Sequence, residues 1–542
     1  MGGVFRRQGS RENSRRIGTG KGKLTAAARA ANKPRAAVKR FEWFDRRRLF
    51  WIVLIAGGLV YSQAQFWNQP SGGDRANWDY FAQVIARGGV PYRDVVNIKS
   101  PLSAYIGVAA ILVSKPLGLS DVLAIRLTFL VLAVLTLGFT FLVALDYFKS
   151  IRIALFTATV MLTFEAFARF NGGGIQPKTV MVLFGLVTLW AIGKDRPLTA
   201  GVFGMLSALA WQPGLLFVGA AGLAFSHYLT SWRDRKEVKM VVGAAIPLAI
   251  LLAYFWVSGA LHSFYLWNIH FNVTVYAPHE SRSFQNFFQQ LSKILNGFYH
   301  NSRDYFYVAL AGLFIAIFQE SRRAIKHGGR YFLERASTHA VIVAPLVYFG
   351  FCMIDIQGGA DLIPLVPFVA IFAAVAIEFV VEQTAKLVSR MGKNSRPIES
   401  WAPVVIVVFI IYRNVTGAFF FERGFPTLKD QRPAVEEVTS HLEPGDKIFV
   451  YGRTEILVLS GLTSVSKYFL LDRGKAQYLN QVEPGGFDGW LERLKAERPK
   501  IVALDRLGTD GSLQPLEEWV AAEYAARNNG VFVYYIRKDN NR

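Results

Sequence analysis

The chain alternates long apolar runs with short charged connections. A membrane-spanning helix needs about 20 apolar residues to cross about 30 Å of hydrocarbon. Runs of this kind begin near residues 49, 121, 153, 177, 198, 214, 240, 303, 338, 361 and 401. The pattern predicts a mainly helical, polytopic membrane bundle of about eleven transmembrane helices.

Lys and Arg are enriched in every second connection between these runs. Cytoplasmic loops of membrane proteins carry an excess of both residues. The basic connections are "DYFKSIR", "GKDRP", "SWRDRKEVK", "QESRRAIKHGGRYFLER" and "EQTAKLVSRMGKNSRP". We therefore expect a cytoplasmic N-terminus, with residues 67–120, residues 259–302 and the C-terminus on the extracytoplasmic face.

One apolar segment, residues 102–119, is too short to be counted with the others. Counting it as a span would invert the orientation of everything after it and place the basic connections outside. We interpret it as a juxtamembrane or re-entrant helix, whose ends must be buried in protein or face a wet cavity.

The pattern changes after residue 421. Short apolar segments of strand length alternate with segments of helical spacing. The former are "DKIFVYG", "SKYFLL", "PKIVALD" and "GVFVYYIR", and the latter are "FDGWLERLKAE" and "PLEEWVAAEYAAR". Alternating strands and helices predict a small α/β domain. The expected organisation is a basic disordered cytoplasmic tail (1–48), a transmembrane domain (49–421) and an extracytoplasmic α/β domain (422–542).

Composition and charge agree with this division. The 542 residues are 52% hydrophobic and 18% charged, with a mean hydropathy of +0.26, and the single cysteine, Cys352, cannot form an internal disulfide. Both features fit a bacterial inner-membrane protein. The net charge of +22 is concentrated in residues 1–48, which hold fifteen Lys or Arg and three acidic residues. Such a tail could bind nucleic acid or anionic lipid, but we interpret it as a cytoplasmic retention signal and predict no nucleic-acid partner.

The first external loop carries unusually many charges for a membrane boundary. Its segment "RANWDYFAQVIARGG" has one apolar stripe at helical spacing, formed by Trp78, Phe81, Ala82 and Ile85. This spacing predicts a helix lying at the membrane interface. Asp74 stands just before the helix, where its carboxylate could cap the backbone or project into a cavity.

The order of elements in this loop resembles the GT-C superfamily of integral membrane glycosyltransferases, which includes protein O-mannosyltransferases and the lipid A aminoarabinose transferase. The resemblance rests on Asp74, on "GGVPYRD" and on "KSPL" opening the next apolar helix, and extends more loosely to "NGGGIQPKTVMVLFGL" and "ADLIPLVPFVAIF". Two positions depart from the pattern: Arg75 stands where many members have a second acidic residue, and Ser100 replaces a proline.

The resemblance implies transfer of a sugar from a polyprenyl-phosphate donor to an acceptor hydroxyl, with inversion, on the extracytoplasmic face. This reaction needs a base at the hydroxyl and cations at the phosphate leaving group. We predict Asp74 as the general base and Asp79 as the second choice. Lys99 and Arg93 are the first candidates for the phosphate. The acceptor is a glycan, a lipid or a protein, and membrane lipids surround the bundle.

Further charged residues are predicted near the same face. His270 and Arg282 could also contact the donor phosphate, and Asp94, Glu165 and Asp355 are candidates for substrate binding. Four histidines fall in one external loop: His262, His270, His279 and His300. A divalent metal is one interpretation of this cluster, but no spacing matches a compact ligand set, so we assign no metal ligands and no cofactor. Sugar recognition and membrane anchoring by the interleaved aromatics are the alternatives.

Two other classes of protein have similar sequence features. A transporter or flippase for lipid-linked sugars would also have many helices, although transporters usually place charges near the membrane midplane. A ligase or polymerase of lipid-linked oligosaccharides would share every feature above. The acidic residues of this chain gather on one face, which favours a transferase.

Overall fold

Helices occupy all eleven apolar runs in the computed structural model of the protein. The structure describes residues 46–225, 235–277, 284–328, 331, 336–417, 425–505 and 511–538, so the predicted tail lies outside the described residues. The helices at the eleven runs are Arg46–Ser62, Asp121–Phe148, Ile151–Leu162, Pro177–Gly193, Pro197–Ala210, Leu215–Phe225, Lys236–Val257, Asp304–His327, Ala336–Ile354, Val366–Arg390 and Arg396–Gly417.

Three helices in the described part are long and apolar enough to cross a membrane: Asp121–Phe148, Lys236–Val257 and Gly359–Arg390. Ile151–Leu162 and Glu165–Gly172, bent by 60°, make a fourth span if they cross together. The other apolar helices are shorter or more charged, so the predicted count of eleven spans is not confirmed.

Several helices begin where local chemistry predicts. Ser120 and Ser150 cap the helices that follow them, since each hydroxyl accepts a backbone N–H from three residues ahead. Pro177 starts its helix at a position that needs no N–H donor. The segment predicted as re-entrant forms the helix Leu102–Ser114 and a 3₁₀ turn, Lys115–Leu117.

The predicted interfacial helix is present as Gly73–Ala86, which we call the loop helix. Its apolar stripe is buried, but so are the polar residues Asn77, Asp79 and Gln83. The C-terminal part covers two of them: Thr454 donates to the Asn77 amide oxygen at 2.7 Å, and Gln83 donates to a backbone carbonyl of the same part. The helix is therefore enclosed by protein on the face that sequence periodicity assigns to solvent.

The connection after the span Lys236–Val257 is also helical, although it was predicted as a loop. It contains the helix Leu261–Phe264 and two π-helical segments, Tyr265–His270 and Asn272–Tyr276. Trp267 is buried against Tyr468 and Tyr478 and belongs to the protein core. The amphipathic helix Phe284–Gly297 follows.

The C-terminal part has a four-stranded sheet in the order β1-β2-β4-β3. The strands are β1 (Ile448–Tyr451), β2 (Ile501–Leu504), β3 (Tyr524–Asn528) and β4 (Val533–Arg537). β1 and β2 are parallel, with Ile448 opposite Ile501, and β3 and β4 form an antiparallel hairpin. The helices of this part are Leu428–Ser440, Glu455–Ser460, Lys475–Val482, Gly486–Ala496 and Gln514–Glu523.

Two of the predicted elements differ from the observed ones. "SKYFLL" is not a strand: the Phe469 carbonyl accepts the N–H of Gly452, just after β1, and the Lys467 carbonyl accepts the N–H of Val96 in the first loop. The helix predicted over "PLEEWVAAEYAAR" stops at Glu523, and its last residues form β3 because they pair with β4. Residues 50–542 form one compact unit, so the predicted boundary at residue 422 stays a prediction.

Candidate active site

The loop helix begins at a glycine hinge that projects Asp74 outward. Gly73 has a φ of +60°, a conformation that favours glycine, and Asp74 lies in the first helical turn. The helix dipole favours a carboxylate there. The Asp74 side chain is 72% exposed, and its Oδ2 lies 3.9 Å from Nζ of Lys99. The predicted base and the predicted phosphate-binding cation are therefore side by side.

Lys99 is held by the turn that precedes the next helix. The Tyr92 hydroxyl donates to the Lys99 carbonyl at 2.7 Å, and the Asn97 side chain accepts the Lys99 backbone N–H at 3.1 Å. The lysine side chain is only 24% exposed. Burial lowers the pKa of Lys99, while the nearby Asp74 carboxylate acts in the opposite direction.

A cavity of about 390 Å³ opens on one side of this pair. The helical bundle supplies an apolar wall from Phe170, Ile175, Trp211 and Phe298. Lys178 projects into the same cavity from the first turn of the helix Pro177–Gly193. The cavity combines apolar surface with two ammonium groups, which suits a ligand with a lipid part and an anionic part.

Lys178 is fixed by contacts from two directions. Its Nζ lies 2.6 Å from Oδ1 of Asp361 and 4.8 Å from the centre of the Trp211 ring. The other oxygen of Asp361 accepts the backbone N–H groups of Gln357 and Gly358, both at 2.8 Å. The carboxylate therefore connects the cation to the start of the 3₁₀ helix Gly359–Leu365.

A smaller cavity of about 100 Å³ lies on the other side of Asp74 and Lys99. It is formed by the first loop, by Tyr276 and by the segment 469–475 of the C-terminal part. The charged residues that this segment contributes are Asp472, Arg473 and Lys475. The two cavities share Asp74, Trp78 and Lys99 among their lining residues.

Asp79, the second choice for the base, is fully buried and lines neither cavity. Its Oδ1 accepts the backbone N–H of Ile175 at 2.9 Å. A Cβ added to Gly174 would lie 2.7 Å from the other oxygen. Burial raises the pKa of Asp79 to about 6, although the Ile175 N–H and the Arg126 charge lower it in part. The structure places Asp79 behind the wall of the larger cavity.

Arg93 and Asp94 contact each other instead of a cavity. Two guanidinium nitrogens of Arg93 donate to the two Asp94 oxygens, each at 2.8 Å, and a third donates to the Ser258 carbonyl. Asp94 also accepts the Val90 backbone N–H at 2.8 Å, which closes the "VPYRD" turn. These contacts give both residues a place in the turn, away from the lining of the two cavities.

The remaining candidates lie outside the cavity linings as well. Nδ1 of His270 is 2.8 Å from the Tyr478 hydroxyl, and Glu165 accepts the Asn301 amide at 2.7 Å. Asp355 accepts the Tyr276 hydroxyl at 3.2 Å, one layer behind the smaller cavity. Arg282 and His279 lie outside the described residues.

No group of three or more His, Cys, Asp or Glu is arranged to hold a metal ion within the part of the chain that the structure describes. The charged residues that line the cavities and that sequence reasoning did not assign to the site are Arg75, Lys178, Asp472, Arg473 and Lys475. Lys178 stands in "QPK" at a helix start, which is a local signal, but its partner Asp361 is 183 residues away. Arg473 and Lys475 come from the part predicted as a cover over the site.

In sequence, the chain matches no protein-family model and no curated protein. In structure, it is similar to ArnT from Cupriavidus metallidurans bound to undecaprenyl phosphate, with a TM-score of 0.56 and 13% identity over 91% of this chain and 98% of that chain. The apo state of ArnT gives a TM-score of 0.57 at 14% identity, with the same coverage. The oligosaccharyltransferase of Archaeoglobus fulgidus, tethered with an acceptor peptide, gives a TM-score of 0.50 at 12% identity. The match covers 91% of this chain and 74% of that chain.

These neighbours define the class of fold. ArnT, the lipid A aminoarabinose transferase, and the archaeal oligosaccharyltransferase are both members of the GT-C superfamily. The similarity extends over most of this chain. The expectation from the first-loop motifs is confirmed: the chain has the fold of the GT-C integral membrane glycosyltransferases.

Proposed function

We propose that this protein is a bacterial inner-membrane glycosyltransferase that moves a sugar from a polyprenyl-phosphate donor to an acceptor hydroxyl on the extracytoplasmic face. The observation that carries the proposal is the Asp74–Lys99 pair, 3.9 Å apart, at the junction of two cavities in a GT-C fold. A base and a phosphate-binding cation are the two groups that the reaction requires.

The larger cavity suits the donor. Its aromatic wall would hold the first units of the polyprenyl chain, and Lys99 and Lys178 would contact the phosphate. ArnT, which has a similar fold, was solved with undecaprenyl phosphate bound. Lys178 keeps its orientation through Asp361 and Trp211, so the cation is already in place before the donor enters.

Asp74 acts as the general base in this proposal. An exposed aspartate is ionised at neutral pH and can take the proton of the acceptor hydroxyl as its oxygen attacks the anomeric carbon. The bond from that carbon to the phosphate oxygen breaks, and the phosphate leaves with the electron pair. Lys99 and Lys178 stabilise the negative charge on the leaving group, and direct displacement inverts the anomeric centre.

The proposal assigns Asp79 a structural role and leaves Arg93 and Asp94 in the turn. It rests on a cytoplasmic N-terminus, which places the first loop and the C-terminal part on the same extracytoplasmic side. All the charged residues that line the cavities except Lys178 come from these two parts, so a cytoplasmic donor would not fit the arrangement.

The test is release of free polyprenyl phosphate from a panel of radiolabelled polyprenyl-phosphate sugars, with membrane extract as the source of acceptors. We expect turnover by the wild type and a loss of about 10²–10⁴-fold in Asp74→Asn, the usual contribution of a general base. Asp488→Asn is the matched control, because Asp488 is an exposed aspartate in the first turn of another helix.

Two results would contradict the proposal in different ways. Full turnover by folded Asp74→Asn protein would remove Asp74 as the base. Donor binding without turnover, together with movement of labelled lipid between leaflets of liposomes, would identify a flippase. If turnover occurs, the size of the labelled product separates transfer of one sugar from ligation of an oligosaccharide.

A further inference from the structure

The smaller cavity shares Asp74, Trp78 and Lys99 with the larger one, but its other lining residues differ, and the proposed function assigns it no substrate. We infer that it is the acceptor site and that Arg473 selects an acceptor with an anionic group, a phosphate or a carboxylate, close to the reacting hydroxyl. This inference rests on the proposed transferase function. It gives the C-terminal part a role in specificity beyond covering the site.

The position of the base separates the two substrates. Asp74 borders both cavities, whereas Lys178 and the aromatic wall border only the larger one. A donor in the larger cavity has its phosphate near Lys178 and Lys99. The acceptor oxygen must approach the anomeric carbon from the side opposite the phosphate and must also reach Asp74. The space that meets both conditions is the smaller cavity.

The charges around this cavity favour an anion. Its lining contains three cations, Lys99, Arg473 and Lys475, and two carboxylates, Asp74 and Asp472. Asp472 lies 2.5 Å from Nζ of Lys475. Burial alone would raise the pKa of Asp472, but the Lys475 and Arg473 charges bring it below its usual value. Asp472 is therefore ionised and lies between Lys475 and Arg473, whose Nε is 3.6 Å from its Oδ2. Lys99 faces Asp74, and the three cations exceed the two carboxylates by one positive charge.

The Arg473 side chain is oriented before any ligand binds. It stands at a backbone φ of +57°, and its Nη1 donates to the Tyr276 hydroxyl at 3.1 Å and to the Gln357 side chain. Tyr276 and Gln357 are both bonded to Asp355, at 3.2 and 2.6 Å. This network joins the C-terminal segment to two other parts of the chain and fixes the plane of the guanidinium. A fixed, planar guanidinium is suited to bind phosphate or carboxylate oxygens.

The experiment separates acceptor binding from donor binding. Membrane extract is divided by anion exchange into anionic and neutral fractions, and each fraction is supplied as acceptor with the labelled donor. The acceptor KM is measured for the wild type, Arg473→Gln and Arg473→Lys, and undecaprenyl phosphate binding is measured for the same proteins. Arg527→Gln is the control, since Arg527 is an exposed arginine of the edge strand β3 in the same part of the chain.

We expect the wild type to transfer to the anionic fraction. Arg473→Gln should raise the acceptor KM at least tenfold while it binds undecaprenyl phosphate within about twofold of the wild type, which also shows that the variant is folded. Arg473→Lys should recover part of the loss, because the charge remains. Arg527→Gln should match the wild type. Phosphatase treatment of the anionic fraction abolishes transfer if the group is a phosphate and leaves it intact if the group is a carboxylate.

The inference is overturned if transfer goes to the neutral fraction, or if Arg473→Gln keeps the wild-type acceptor KM. It is also overturned if Arg473→Gln loses undecaprenyl phosphate binding with an unchanged acceptor KM, because Arg473 would then belong to the donor. Failure of the proposed function looks different, since the wild type would then release no polyprenyl phosphate from any donor.

Discussion

Lys99 has a charge that depends on its surroundings. Burial lowers its pKa below the ordinary lysine value of about 10.4. In the proposed mechanism the protonated form binds the donor phosphate, so kcat/KM should fall on the alkaline side at a pH below the ordinary lysine range. Lys99→Arg should move this alkaline limb of the kcat/KM profile to higher pH, because a guanidinium stays protonated. The pH profile of kcat/KM, which reports the free enzyme, measures the shift.

The control for this profile is Lys115→Arg, an exposed lysine at the end of the next helix. It should leave the alkaline limb in place. An identical limb in the wild type and Lys99→Arg would show that another group controls it.

Asp79 should make stability depend on pH. Burial raises its pKa from 3.8 to about 6 in the folded protein, so the folded state holds a proton that the unfolded state releases between these values. The stabilisation is present below pH of about 4 and is lost as the pH rises through about 6, a difference of roughly 3 kcal/mol. Thermal unfolding in detergent from pH 4 to 7 measures it.

Other carboxyls titrate in the same range, so the relevant quantity is the Tm of the wild type minus that of Asp79→Asn at each pH. This difference should decrease as the pH rises, and the corresponding difference for Asp488→Asn should stay constant. A constant difference for Asp79→Asn as well would mean that the buried carboxyl does not titrate in this range.

At the scale of elements, Asp361 joins the start of the 3₁₀ helix Gly359–Leu365 to the start of the helix Pro177–Gly193. Asp361→Asn would leave the Lys178 charge buried without its partner, which typically costs about 3–5 kcal/mol. We expect lower thermal stability in this variant. The double variant Lys178→Met, Asp361→Asn should recover stability, because it removes both buried charges while the Asn oxygen can still accept the Gln357 and Gly358 N–H groups.

The same pair of variants tests the role of Lys178. The double variant should still bind undecaprenyl phosphate more weakly than the wild type, because the cavity has lost a cation. Stable double-variant protein with wild-type affinity would show that Lys178 supports the fold and not the donor phosphate.

At the scale of the whole molecule, the proposed orientation predicts which surfaces are accessible from outside the cell. Because the sequence has a single cysteine, buried Cys352, a Cys352→Ala background permits labelling at chosen sites. Asn528→Cys, on the edge strand β3, should react with a membrane-impermeant maleimide in intact spheroplasts. Lys393→Cys, in a predicted cytoplasmic loop, should react only after permeabilisation. The reverse pattern would invert the proposed topology.

The C-terminal part is bonded into the first loop at several points, which bears on how the site is assembled. The Ser464 backbone N–H donates to the Tyr80 hydroxyl at 3.0 Å, and the Gln431 side chain both donates to and accepts from the Ser71 backbone. These contacts join residues more than 350 positions apart. The loop helix, which carries Asp74, is therefore held in part by hydrogen bonds to the C-terminal part.

The sequence alone determined the features that depend on neighbouring residues. Apolar runs predicted helices at all eleven positions, and the spacing of Trp78, Phe81 and Ile85 predicted the loop helix, because periodicity records which face of an element is apolar. The sequence also assigned Asp74 and Lys99 to one site, since both lie in one short loop whose motifs resemble the GT-C superfamily.

Only the tertiary structure decided which charged residues share a cavity. It paired Asp79 with the Ile175 backbone and Lys178 with Asp361, and it brought Arg473 to the cavity beside Lys99. The physical reason is that each side chain is placed by the packing of elements 90 or more residues apart, and the free energy of that packing is not visible in the spacing of neighbouring residues.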